Sequence, residues 1–193
     1  MPDGSKWTGL RRDCYNVHMV NQEAPIAQER SPDKGSVVEL PVLYTIGHSN
    51  HQVDSLIRLL KSAGITAVVD VRSSPYSQHN PQFNRDLLRK ALAAEGVKYY
   101  FFGDSLGGKP SDPRLQNDAG EPDYAAIAQS SAFRAGLDSL LELAKTETVT
   151  VLCAEEDPDH CHRKRLIADQ LTLSGRAEVR HIRRDGCVET FLL

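Results

Sequence analysis

Apolar positions set the frame of this chain. Val42–Ile46 is a short apolar run ending at Gly47. Val53, Leu56, Ile57 and Leu60 follow at the spacing of one helical face, and Gly64 suits the position after the helix. Ser49 with Gln52 reads as a capping box for that helix. Ile65–Val71 is almost wholly apolar, as expected of a strand covered on both faces. Asn80-Pro81 suits a helix start, with Leu87, Leu88, Ala91 and Leu92 on one face and Gly96 closing it. Val97–Phe102 predicts a third strand. Phe133, Leu137, Leu140, Leu141 and Ala144 predict a helix, Thr148–Cys153 a fourth strand, Arg163–Leu173 a helix and Val179–Ile182 a fifth strand. The last residues can add one short strand.

Strands alternating with helices predict a single α/β domain with a mostly parallel five-stranded sheet and helices on both faces. We take a Rossmann-like order of 3-2-1-4-5. Residues 1–41 lack periodicity and read as a poorly ordered extension, with 42–193 as the domain. The Gly- and Pro-rich stretch from Gly103 to about Asp123 reads as a long loop, of the kind that is usually functional or mobile.

Composition narrows the class. In 193 residues, 40% are apolar and 25% charged, an ordinary globular balance. No apolar run spans a bilayer, and no secretory leader is legible at Met1. The four cysteines therefore read as reduced thiols of a cytoplasmic protein. The net charge of -3 argues against a global attraction to nucleic acid, yet His160 to Arg184 holds seven Lys/Arg against Asp169 and Glu178. That local basic face could meet an anion.

In doubly wound sheets ligands bind beyond the carboxyl ends of the strands, where the winding reverses. The rule singles out Gly47-His48-Ser49, Asp70-Val71-Arg72 and the segment from Cys153 to Arg163. In the last, Pro158 and Asp159 suit a helix start, and a helix N-terminus favours anions and thiolates. Cys161 is the first candidate nucleophile, with His162 or His48 as base. Activated water is an equal alternative. Cys153 also reads as a small buried apolar residue. His48, with Asp70 or Glu155, could move protons. Arg72 and Arg163 would hold an anion, Ser49 could bind it or cap a helix, and Gly107 and Gly108 would let their loop pass close to it. Asp70 could instead be the ion-pair partner of Arg72, and Asp70 or Glu155 that of Arg163. Tyr76 or Tyr124 could stack on a base.

Three familiar patterns fail or fall short. Cys-x5-Arg would place arginine at position 159, which is Asp159. Gly103–Lys109 matches G-x4-G-K, but Pro110 replaces the hydroxyl residue of a P-loop. Zinc ligands usually come in short Cys pairs, and Cys153 and Cys161 stand farther apart. No cofactor is expected, and a metal on Cys153, Cys161, His162 and His48 is left open.

The chain resembles the domain-of-unknown-function family 488. The resemblance rests on Tyr44–Asn50, Val69–Pro75, Asn80–Asn84, Leu106-Gly107-Gly108, Leu152–Glu155 and Cys161-His162-Arg163, together covering roughly residues 43–185. It implies a compact prokaryotic α/β domain and marks His48, Asp70, Arg72, Cys153, Glu155, Cys161, His162 and Arg163 as signature positions. It implies no reaction. The residues themselves point to an enzyme, a hydrolase or transferase, acting on a phosphate-bearing or other anionic substrate, a nucleotide or nucleic acid among them. The alternative is a non-catalytic module binding nucleotide or nucleic acid, through the pocket or through Arg176, Arg180, Arg183 and Arg184. Neither reading involves a membrane, and neither sets the oligomeric state.

Overall fold

The computed structural model describes residues 40–191, so the expectation for residues 1–41 lies almost wholly outside them. The described chain runs β1 (Val42–Gly47), α1 (Val53–Ser62), β2 (Ala67–Asp70), α2 (Arg85–Ala94), β3 (Lys98–Phe101), the short α3 (Gly103–Leu106), α4 (Tyr124–Gln129), α5 (Ser131–Leu143), β4 (Val149–Cys153), α6 (Asp169–Leu173), β5 (Glu178–Ile182) and β6 (Val188–Phe191). These strands form one sheet in the order β3-β2-β4-β1-β5-β6, parallel except for β6, which pairs antiparallel with β5. The α/β class is as expected. Strand number and order are corrected: a sixth strand forms the edge, and β4, not β1, lies beside β2.

Alternation along the strands feeds two cores. Ile46, Val68 and Leu152 face Leu56, Leu60, Leu88, Leu92 and Phe83. Leu43, Val69 and Val151 face Phe133, Leu137, Leu140, Leu166 and Leu171. Burying each such side chain contributes about 1.5–3 kcal/mol, so both sheet faces must stay covered. The connections leaving β1 and β2 pack on the first face, those leaving β3 and β4 on the second. β4 sits between β1 and β2, so the chain diverges on both sides of its carboxyl end. The ligand crevice of such a sheet opens there.

Local chemistry differs from expectation at three turns. Ser49 caps nothing: it adopts φ 44° in a tight turn, and Gln52 stands at the start of α1 without a side-chain cap. The helix after β4 opens as a π-helix, Arg163–Ala168, before continuing as α6. The stretch after β3 is structured, with α3, a 3-10 turn at Pro113–Leu115 and a bridge between Gln116 and Pro122.

Candidate functional site

The β4 loop is built on a close approach. His48 donates its backbone N–H to the carbonyl of Cys153 at 2.9 Å, and Ser49 donates to Ala154 at 2.8 Å. A Cβ on Gly47 would fall 1.8 Å from the Glu155 carbonyl oxygen, so only glycine lets the two segments meet. Asp157 then accepts from the backbone N–H of Asp159 and starts a 3-10 turn, Pro158–His160. The Cys161 N–H donates to Pro158, and the Cys161 carbonyl receives Lys164 and Arg165, which opens the next helix. Arg163, 1% exposed, turns its guanidinium back onto the loop. It donates to the carbonyls of Glu155 and Glu156, the latter at 2.6 Å. Neither Asp70 nor the Glu155 carboxylate is its partner, and its Nε–H has none among the described residues.

This folding-back brings Cys161 and His162 to Cys153. His162 Nδ1 lies 3.7 Å from Cys153 Sγ and 3.9 Å from Cys161 Sγ. Its Nε2 lies 3.2 Å from the Val71 carbonyl. A carbonyl only accepts, so Nε2 carries a proton, and in the neutral ring Nδ1 presents its lone pair to the sulfurs. The three donor atoms lie within 4.8 Å of one another and all three residues are buried. A hydrogen bond from Cys161, joined by the N–H groups of Ala154 and Glu155 and by Arg163, lowers the Cys153 pKa against its burial. The same hydrogen bond, with burial, pushes Cys161 up to about 12. Ionisation thus favours Cys153, the thiol that sequence reasoning left among buried apolar residues. Both are free thiols. Cys187 is disulfide-bonded, which corrects the expectation of four reduced cysteines.

Asp70, Arg72 and His48 form a separate clamp next to this centre. Arg72 Nε donates to Asp70 Oδ1 at 2.9 Å and Nη2 to Oδ2 at 2.6 Å. Nη2 also reaches the Phe83 carbonyl at 2.9 Å, and Nη1 the Nε2 of His48 at 3.0 Å. Tyr99 donates its hydroxyl to Asp70 Oδ2 at 2.7 Å. His48 donates from Nδ1 to the Ser49 carbonyl at 2.8 Å and stacks on Phe83 with centroids 4.4 Å apart. Burial lowers its pKa to about 4, which keeps the ring a neutral acceptor for Arg72. Arg72 and Arg163 are therefore both engaged with internal partners.

Two glycines close the roof. A Cβ on Gly108 would come within 2.5 Å of His162 Cγ, and one on Gly107 within 2.5 Å of Ser73 Oγ. Ser73 accepts the backbone N–H of Lys109 at 3.0 Å. A cavity of about 350 Å³ adjoins this roof, lined in part by Ser73, Ser105, Lys109, Ser111 and Ser130. Glu155 is exposed and its carboxylate lies outside the centre, and Tyr76 is exposed as well. Tyr124 is partly buried, with the Arg165 guanidinium 5.7 Å from its ring centroid. No helix among the described residues is long and apolar enough to cross a membrane.

Fold and site together define a mostly parallel α/β protein with a buried Cys–Cys–His centre at the carboxyl end of its inserted strand. The family model described as Domain of unknown function DUF488 matches residues 52–171, and the chain belongs to that family. The match takes in the clamp residues Asp70 and Arg72, the Gly107-Gly108 roof and the whole centre, while Tyr44–Asn50 falls before it. No curated protein matches the chain.

Proposed function

We propose that this protein is an enzyme carrying out a hydrolytic or group-transfer reaction on a small phosphate-bearing or otherwise anionic substrate, centred on Cys153, Cys161 and His162. One observation carries the reading: two thiol sulfurs and the Nδ1 of an imidazole whose Nε2 faces a backbone carbonyl lie within 4.8 Å at the carboxyl end of β4. Packing alone gives no reason to gather three such groups, and aligned donors of this kind are what nucleophilic or acid–base chemistry requires. The cavity on the other side of the Gly107 roof, lined by Lys109, serine hydroxyls and Asp104 but by none of the three centre residues, supports a small polar substrate held beside the centre rather than by Arg72 and Arg163. The proposed binding face for nucleic acid has less support. Arg176 pairs with Asp138, Arg180 with Glu178 and Arg183 with Glu156, and Arg184 bonds Asn50.

The test is a melting-temperature screen of inorganic phosphate, nucleotides and phosphate esters, followed by turnover assays on every compound that stabilises the protein. At least one should raise the melting temperature and be converted. K109A should lose the stabilisation. C153S and H162Q, checked for folding by circular dichroism, should lose conversion and keep binding. A flat screen, or conversion that survives H162Q, overturns the reading.

A further inference from the structure

We infer that Cys153, Cys161 and His162 form a binding site for one thiophilic divalent cation, best matched by zinc, with a fourth coordination position left to water or substrate. The inference deepens the proposed function, since it rests on the same centre, but it requires no particular substrate.

The donor set comes first. Two thiols and an imidazole are the ligands that zinc and its neighbours select, and hard cations such as magnesium do not use them. Spacing agrees. Zinc–sulfur bonds of about 2.3 Å and zinc–nitrogen bonds of about 2.0–2.1 Å, at tetrahedral angles, place sulfur and nitrogen roughly 3.6 Å apart. The observed sulfur–nitrogen separations are 3.7 and 3.9 Å, within a few tenths of an ångström of that value, and the two sulfurs lie within 4.8 Å of each other.

Orientation agrees as well. A metal-bound histidine usually donates its other ring N–H to a carboxylate or a backbone carbonyl, which fixes both tautomer and ring angle. His162 does this through Val71 and leaves Nδ1 as the ligand atom. Val71 cannot drift, because the residues on either side of it, Asp70 and Arg72, are locked to each other. The roof at Gly108 holds the ring from its other side.

Charge completes the case. Binding displaces one proton from each thiol. Two thiolates, a neutral imidazole and a divalent cation then sum to zero, which suits a buried centre better than an isolated ion would. Among the described residues the group has three members. Three protein ligands with an open position is the arrangement of catalytic rather than structural zinc sites. A cation there would supply Lewis acidity.

The experiment uses the full chain, purified under reducing conditions, loaded with zinc or cobalt(II) and freed of excess metal. Mass-spectrometric metal analysis should find one equivalent per chain in the unsubstituted protein and in H160Q, whose altered residue is exposed outside the group. C161S and H162Q, shown to be folded, should retain none. The cobalt form should show thiolate-to-cobalt charge-transfer absorption in the near ultraviolet. Zinc should also protect Cys153 and Cys161 of the unsubstituted protein from alkylation, which tests the site without any variant. No retained metal, or retention undiminished in C161S and H162Q, overturns the inference. Either result leaves the proposed function standing, because turnover is read separately. A metal-loaded protein inert towards every phosphate compound does the reverse.

Discussion

His162 Nε2 lies 3.2 Å from the carbonyl oxygen of Val71, a contact that joins residues 91 positions apart. Val71 stands between the two members of a buried ion pair, Asp70 and Arg72, whose side chains are 0% and 5% exposed. The clamp fixes the carbonyl, the carbonyl fixes the imidazole, and the imidazole turns Nδ1 to the two sulfurs. Two sequence motifs that look independent are parts of one device.

Breaking the clamp should therefore cost stability before it costs anything else. Asp70→Asn leaves the Arg72 guanidinium buried without its countercharge, and removing one partner of such a pair costs about 3–5 kcal/mol. Urea denaturation should show a loss of that order. A loss under about 1 kcal/mol, the scale of an exposed pair, would mean that Arg72 finds another partner.

Arg163 is expected to act through the backbone. Arg163→Met should cost about 2–5 kcal/mol, because two charge-assisted bonds vanish and two carbonyls lose their donor. Arg163→Lys should recover only part of this, since an ammonium lacks the planar fork that spans two oxygens. Full recovery by lysine would show that charge alone matters there.

Gly108→Ala tests the roof. The added Cβ meets the His162 ring near its base, where the side chain cannot swing clear. Overpacking of this kind costs about 1–3 kcal/mol. Zinc retention should fall with it, which metal analysis reads directly. An unchanged melting temperature together with full retention would place the roof farther from His162 than described.

Stability should decline in mild acid. Burial lowers His181 from 6.5 to about 3, and its Nε2 has no partner among the described residues to support a charge. Between those values the unfolded chain binds a proton that the folded chain refuses. The contribution is thus complete above pH 6.5 and is lost as pH falls toward 3, by up to about 1.4 kcal/mol per unit. His48, lowered to about 4, acts in the same direction. Denaturation at pH 7, 6, 5 and 4 should show the slope, and His181→Gln should make it shallower. An identical slope in the variant would exclude His181 as a source.

Much of the fold was legible because both sheet faces are buried. Val68, Val69, Val151 and Leu152 leave no doubt about central strands, and Gly64 and Gly96 mark helix ends where φ is positive. Strand order was not legible. Hydrophobicity shows that Val149–Cys153 is buried, but not which neighbours bury it. Ser49 and Gln52 match a capping box in letters, yet the tight turn that lets Ser49 donate to Ala154 sets its backbone elsewhere. Cys161 and His162 were legible from their place in the loop. Cys153 was harder, because a thiol at a strand end looks like core until the returning chain is known to lay Cys161 against it. The engagement of Arg163 with backbone oxygens had no signal at all, since carbonyls are the same at every position.

The place of β4 in the sheet also dictates an order of events during synthesis. β1 pairs only with β4 and β5, and β2 meets β1 only through β4. When the ribosome has delivered the first three of these strands, β2 and β3 can join, but β1 has none of the described strands to hold and its backbone edge groups stay unpaired. More than a hundred residues separate Val42 from Val149, and closing so long a loop delays native pairing. The nascent chain thus carries an unmatched strand for much of its translation, the state in which chaperones and aggregation compete for it. The strand that ends this exposure is the one that carries Cys153, so the Cys–Cys–His centre can form only after β4 has bridged β1 and β2, while β5 and β6 have yet to complete the sheet.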